Sequence, residues 1–364
     1  MDNYIPSFTD ISEWGKKPYS NTGGTRAKNI YINRENDTEF FFKGSKRLDD
    51  GTFKYPTEFW SEIIASKIGE WLGFNILDYN IGYDINDEQQ IGCLSKSMVV
   101  HTENKLSEGV EYLRGYDPGY IPEFHEYKYT FNFIRETLTS FELKAKEKDF
   151  VEMLFFDSII GNSDRHQENW GFISNFKETI EEINSELRVH KGVFGRIGLR
   201  ILKFAAKGIQ EISSDKEEDN SFNIKQKLLK RQSSIINTCF SPIYDSGCCL
   251  GRELTDEKII KMLEDKMMLE SYVLRGKAEV RWAEGKLKPK HFDLLKMLKP
   301  EFTQLCEELQ KRVSENFSEE KLRLLIFNID KNLPKELSHF KLSTIRKELI
   351  MKLIPLRVVK LMEI

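Results

Sequence analysis

No stretch of this chain approaches the roughly 18 consecutive apolar residues that a membrane-spanning helix needs. The opening MDNYIPSFTD has neither the basic start nor the apolar run of a secretory signal. A cytoplasmic location is expected, and secretion by a route that reads no N-terminal signal stays open. Cysteine is scarce and odd in number: Cys93, Cys239, Cys248, Cys249 and Cys306 show no metal-ligand spacing and make no disulfide framework, which suits a reducing compartment. Charge of one sign is also lacking. With 55 basic and 58 acidic residues the formal net charge is −3, so no global positive field marks nucleic acid or an anionic membrane as the main partner, and any such contact has to be local. Internal repeats and low-complexity tracts are absent. What remains is a chain of 364 residues, 40% hydrophobic, long enough to bury the core of one large bilobal domain or two intimate ones.

Residues 20–43 read as a glycine-containing turn, NTGGTRAK, followed by a hairpin of NIYINR and EFFFK around an acidic turn at Glu35 to Asp37. Trp60, Ile63, Ile64, Ile68, Trp71 and Leu72 then recur at helical spacing, and Gly73 closes that helix. ILDYNIGYDI and IGCLSKSMVV, separated by NDEQQ, read as two more strands. From about 127 helices dominate: FNFIRETLTSF, then DFVEMLFFDSIIG leading into GNSDRHQENWG, and later the stripes Phe302, Leu305, Cys306, Leu309, Val313 and Ile345, Leu349, Ile350, Leu353, Ile354. This divides the chain into a β-rich lobe over residues 1–100 and a helical lobe over 101–364. An insertion at about 172–240 interrupts the second lobe. From Leu187 to Lys207 it holds six Arg or Lys residues and no acid, with Arg196, Arg200, Lys203 and Lys207 on one helical face beside Ile197, Ile201 and Phe204, before turning acidic at 215–219.

Phosphoryl transfer asks little covalent work of a protein; it needs positioned phosphates, metal ions that offset charge, and a base for the attacking hydroxyl. Asp164 and Asn169 have the D-x-x-x-x-N spacing of a kinase catalytic loop, between an apolar helix ending at Gly161 and a strand starting with WGFI. Asp245, in SPIYDSG, follows a short apolar run as a second magnesium carboxylate would. Gly23 and Gly24 have no Cβ to keep backbone amides from phosphate oxygens. Lys43 ends the EFFFK strand, where a phosphate-pairing lysine belongs, and Glu62 or Glu58 could be its helix partner. His166 is assigned to the nucleotide or to organising its own loop.

Together these segments resemble the HipA-like serine/threonine kinases, in particular compact members with little beyond the kinase portion. GGTRAKNIYI is similar to the family's glycine-rich loop, with Gly24 and Lys28 at its fixed positions and Gly23 and Thr25 beside them. SEIIASKIGEWLG is similar to its first helix, which singles out Glu62. GNSDRHQENWG and SPIYDSG are similar to its catalytic and metal-binding signatures. The resemblance implies an α+β, bilobal, protein-kinase-like fold, with a small β-rich N-lobe carrying one main helix and a larger, mostly helical C-lobe. It implies ATP and Mg2+ as cofactors, Asp164 as catalytic base, Asn169 and Asp245 as metal ligands, Lys43 on the ATP phosphates and His166 against the nucleotide. The substrate would be serine or threonine on a protein, the setting a toxin–antitoxin system or an effector, and an antitoxin or accessory chain a partner.

Three departures stand out. Gly23 occupies the place where many members carry a self-phosphorylated serine, so control by that route would fall to Ser20, Thr22 or Thr25. The family's N-terminal accessory domain has no room before residue 20. The 172–240 insertion is longer than the family pattern. Two other readings compete: a phosphoinositide kinase, since D-R-H-x-x-N is also the signature of lipid kinases and the basic helix at 188–207 could face an anionic bilayer, and a catalytically silent binding module that keeps the fold.

Overall fold

The computed structural model describes residues 4–17, 29–45, 48–189, 192–214, 222–285 and 287–364. Gly23, Gly24, Thr25 and Lys28 lie outside them, as do Ser20, Thr22 and the acidic stretch 215–219. Within the described residues the first lobe is a six-stranded sheet. It contains the expected hairpin, β3 (Asn29–Asn33) against β4 (Thr38–Gly44), with Tyr31 opposite Phe40. The two later strands, β5 (Asn80–Tyr83) and β6 (Ile91–Lys96), pair with each other, and β6 also borders β4. Two further strands, β1 (Phe8–Asp10) and β2 (Gly15–Lys17), complete the order β1-β5-β6-β4-β3-β2. At three residues each they are too short to show the alternation by which strands are recognised. Ile11, Tyr31, Phe42 and Leu94 close a small core on one face of the sheet.

The helix α1 (Glu58–Leu72) lies against β4 and β6. Its apolar stripe understates its burial, because every residue but Glu70 is buried. Sheet lies on one side and helices on the other. Trp60 donates its indole N–H to the Phe340 carbonyl at 2.8 Å, and Trp71 stacks on Phe317. One continuous core therefore runs through α1 into the second lobe. Gly73, at φ +81°, ends the helix in the left-handed conformation that other residues adopt at a cost.

The second lobe contains β7 (Asn104–Glu108), α2 (Gly109–Tyr116), α3 (Phe131–Ser140), α4 (Glu147–Ile160), β8 (Gly171–Asn175), α5 (Phe176–Val189), α6 (Val193–Ser214), α7 (Phe222–Ile235) and β9 (Asn237–Phe240). After these come α8 (Asp256–Glu264), α9 (Lys266–Arg275), α10 (His291–Leu298), α11 (Thr303–Asn316), α12 (Glu319–Asn328) and α13 (Thr344–Met362). Helices dominate, and a second antiparallel sheet, β7-β8-β9, is set among them. The central helix α4 is buried at all but Lys148, Asp149 and Glu152, as an all-round apolar sequence requires. Among the described residues no helix is long and apolar enough to cross a membrane. All five cysteines are free.

His291 starts α10 buried at 3% exposure, and burial followed by the nearby Arg357 charge pushes its pKa down to about 3. It is neutral in the fold and would take a proton in the unfolded chain below about pH 6.5. Its contribution is thus intact above that pH and is lost as pH falls toward 3. Between pH 7 and pH 4, wild type should lose about 2–3 kcal/mol more unfolding free energy than His291→Phe, as read by urea titration. Parallel losses in the two proteins would contradict this.

Candidate active site

Two loops make the site, and the pairing of β8 with β9 brings them together. Phe172 lies opposite Phe240, and the Ser241 N–H donates to the Gly171 carbonyl at 2.9 Å. The strands run antiparallel, so the loop before β8 (161–170) and the segment after β9 (241–249) meet at the same end of the ladder. The helices α5–α7 leave from the other end, at Asn175 and Asn237. Insertion length therefore does not affect how near the loops lie.

The first loop starts at Gly161, the C-cap of α4, with φ +71° and its N–H on the Asp157 carbonyl. A Cβ built there would lie 2.5 Å from the Arg357 guanidinium of α13. Gly161→Ala should lower unfolding free energy by about 2 kcal/mol in denaturant titration, from the left-handed backbone and that contact together. No change would mean that the backbone relaxes freely there.

Arg165, only 1% exposed, holds the loop in shape. Its Nε and Nη2 grip both oxygens of Asp157 at 3.0 and 2.8 Å, and Nη2 also reaches Ser246 Oγ at 2.9 Å. Nη1 donates to the carbonyls of Asn169, at 2.7 Å, and of Tyr244. Burial alone would lower its pKa, but the adjoining Asp157 carboxylate outweighs that and raises it, so the guanidinium stays charged. One side chain thus ties α4, the first loop and the residues on either side of Asp245. Sequence reasoning passed over it, since an arginine in a polar loop carries no mark of burial.

Asp164 and Asn169 share the loop, with Asn169 donating its amide to the Asp164 carbonyl at 2.7 Å. The Asp164 carboxylate accepts the Cys248 thiol at 3.0 Å, and the Ser163 N–H donates to the Cys248 carbonyl at 3.2 Å. Cys248 stands three residues beyond Asp245, which puts the two loops side by side at the level of these side chains. His166 turns inward on its own loop: its Nδ1 accepts the Glu168 N–H at 3.3 Å, and its carbonyl accepts the Asn169 N–H at 3.0 Å.

The sheet lobe supplies the rest. Lys43, near the end of β4, pairs with Asp245 and lies 3.7 Å from Glu62 Oε2. The other Glu62 oxygen accepts the Ser246 N–H at 2.7 Å. Of the two candidate glutamates, Glu62 is therefore the one beside Lys43, while Glu58 pairs with Arg252. Asp245 sits at φ +53°, a left-handed conformation that aspartate tolerates better than most residues and that recurs at functional sites. Just before it, Ile243 bridges to Ile76, so the segment is anchored to both lobes.

Among the described residues no cluster of three or more His, Cys, Asp or Glu side chains is placed to hold a metal unaided. Magnesium does not ask for one, since it takes one or two protein oxygens and completes its shell with water and phosphate. Asp245 and the side-chain oxygen of Asn169, whose amide nitrogen is engaged with Asp164, fit that donor set. Lys43 adds the cation that a polyphosphate needs.

No protein-family model matches the chain, and neither does any curated protein. Among solved structures the chain is similar to a Helicobacter pylori proinflammatory kinase, CtkA, at 17% sequence identity and a TM-score of 0.63, over 98% of this chain and 96% of that one. At that identity the likeness speaks for architecture: a mixed α+β, kinase-like bilobal fold, with a curled sheet in the N-terminal region and helices in the C-terminal part.

Proposed function

We propose that the chain is an ATP- and Mg2+-dependent serine/threonine protein kinase of the HipA-like type. The observation that carries the reading is the convergence of Lys43, Glu62 and Asp245 from two lobes beside the loop of Asp164 and Asn169. In it Asp164 accepts the proton of the substrate hydroxyl, and Lys43, oriented by Glu62, holds the phosphates. Asn169 and Asp245 hold magnesium, which when bound offsets the charge of the triphosphate. Gly23, Gly24, Thr25 and Lys28 belong to the glycine-rich loop in this reading. His166 contacts the nucleotide in this reading and keeps the loop geometry through the Glu168 and Asn169 N–H groups. A protein substrate, a toxin or effector role and an antitoxin or accessory partner follow from the family resemblance, and a cytoplasmic site of action from the cysteine usage.

The test is transfer of labelled γ-phosphate from ATP with magnesium, to the chain itself or to a generic protein acceptor. Wild type is compared with Asp164→Asn and Asp245→Asn. Transfer by wild type alone supports the proposal, and equal residual transfer in all three ends it. Label appearing on phosphoinositide and not on protein would move the chain to the lipid kinases, whose signature D-R-H-x-x-N it shares.

A further inference from the structure

One side of α6 is built unlike an ordinary solvated face. The helix packs on α5 and α7 through Ala206 and Ile209, which join Phe176, Ile183 and Ile236 in a core separate from the main one. At about 100° per residue those two positions mark the inward side. On the outward side Ile197, Ile201, Phe204 and Ile212 fall within an arc of about 80°, and they are 48, 65, 81 and 48% exposed. Arg196, Arg200, Lys203 and Lys207 line the adjoining arc, and no acid interrupts residues 187–207. The next acidic residue is Glu211, one turn further on.

Four large apolar side chains left in water along one side of a helix, apart from the less exposed Leu202 on its other side, mark an interaction surface. A nucleic-acid backbone would use the cations and leave the isoleucines and phenylalanine without a role. An apolar protein groove would use those and leave the cations. The headgroup region of an anionic bilayer uses both, since a helix lying in its plane buries its apolar side at the acyl boundary while lysine and arginine reach lipid phosphates. The chain as a whole is negatively charged, so the stripe is a local feature. The helices α5–α7 join the β8–β9 ladder at the end away from the loops of Asp164 and Asp245.

We propose that α6 is an interfacial helix that seats the protein on anionic lipid surfaces, with Ile197, Ile201, Phe204 and Ile212 at the acyl boundary and the four cations among the headgroups. The proposal does not depend on the chemistry of the kinase site.

The test is sedimentation of the full chain with phosphatidylcholine vesicles and with vesicles of equal parts phosphatidylcholine and phosphatidylserine. Binding is expected to the anionic vesicles only, falling as salt is raised. Replacing Arg196, Arg200, Lys203 and Lys207 together by Gln should lower partitioning by about two orders of magnitude or more. Phe204→Ser should lower it about tenfold. Because these side chains are largely outside the core, all variants should keep the wild-type melting curve and phosphate transfer to a soluble acceptor. The proposal is overturned by equal binding to neutral vesicles, by no binding to anionic ones, by a quadruple variant that binds as wild type does, or by a Phe204→Ser protein that binds undiminished. Self-association through α6 or capture by RNA, without vesicle binding, overturns it as well.

Discussion

Asp164→Asn is expected to reduce phosphate transfer by at least about two orders of magnitude while nucleotide affinity stays within a few-fold of wild type. The substitution keeps shape and volume and removes the carboxylate oxygen that would accept the hydroxyl proton under the proposed function. Lys43, Glu62 and Asp245 are untouched by it, because the contacts of Asp164 run to Asn162, Asn169 and Cys248. Asp245→Asn should lose a comparable factor by a different route. There a carboxylate that pairs with Lys43 is lost, so transfer should recover in part as magnesium is raised, which Asp164→Asn would not do. Initial rates across a magnesium series, with nucleotide binding followed separately, distinguish the two. An Asp164→Asn protein within tenfold of wild type would remove Asp164 from the role of base, and identical magnesium dependence in the two variants would remove Asp245 from that of ligand.

The largest stability effect is expected at Arg165. Arg165→Met leaves the Asp157 carboxylate, 1% exposed, with the Asn162 amide as its remaining side-chain partner. Breaking one half of a buried ion pair costs about 3–5 kcal/mol, a large share of the roughly 5–15 kcal/mol that holds a domain folded. The double variant Arg165→Met with Asp157→Leu should regain much of that, since no buried charge is then left uncompensated. Arg165→Lys should not rescue the fold, because one ammonium cannot span both Asp157 oxygens, two carbonyls and Ser246 as a guanidinium does. Chemical denaturation of the four proteins measures this, and a loss under about 1 kcal/mol in the single variant would show that Asp157 finds another partner or a proton.

How much was legible in the chain varies with how local the cause is. The β3–β4 hairpin, α1 with its glycine stop and the buried helix α4 are written in alternation, 3.6-residue spacing and glycine, which act between neighbours along the chain. Asp164 and Asn169 were legible for the same reason: five residues apart in one loop, they are joined by a hydrogen bond that their spacing allows. The short strands β1 and β2 left no such trace. Each exists because an already formed edge, β5 or β3, offered unpaired backbone groups.

The amino-acid sequence by itself determined the β3–β4 hairpin and the helices α1, α3 and α4, which polar loop could carry chemistry, and that α6 would have a basic flank beside an apolar one. Tertiary structure alone decided that Glu58 turns to Arg252, that Arg165 is the buried tie between the two loops, and that Asp245 meets the loop of Asp164 across some eighty intervening residues. Periodicity and local spacing report the bonds a residue can make with its near neighbours. Which distant group completes a buried charge depends on the packing of α1, α4 and the β8–β9 ladder, and that is set by the whole chain at once.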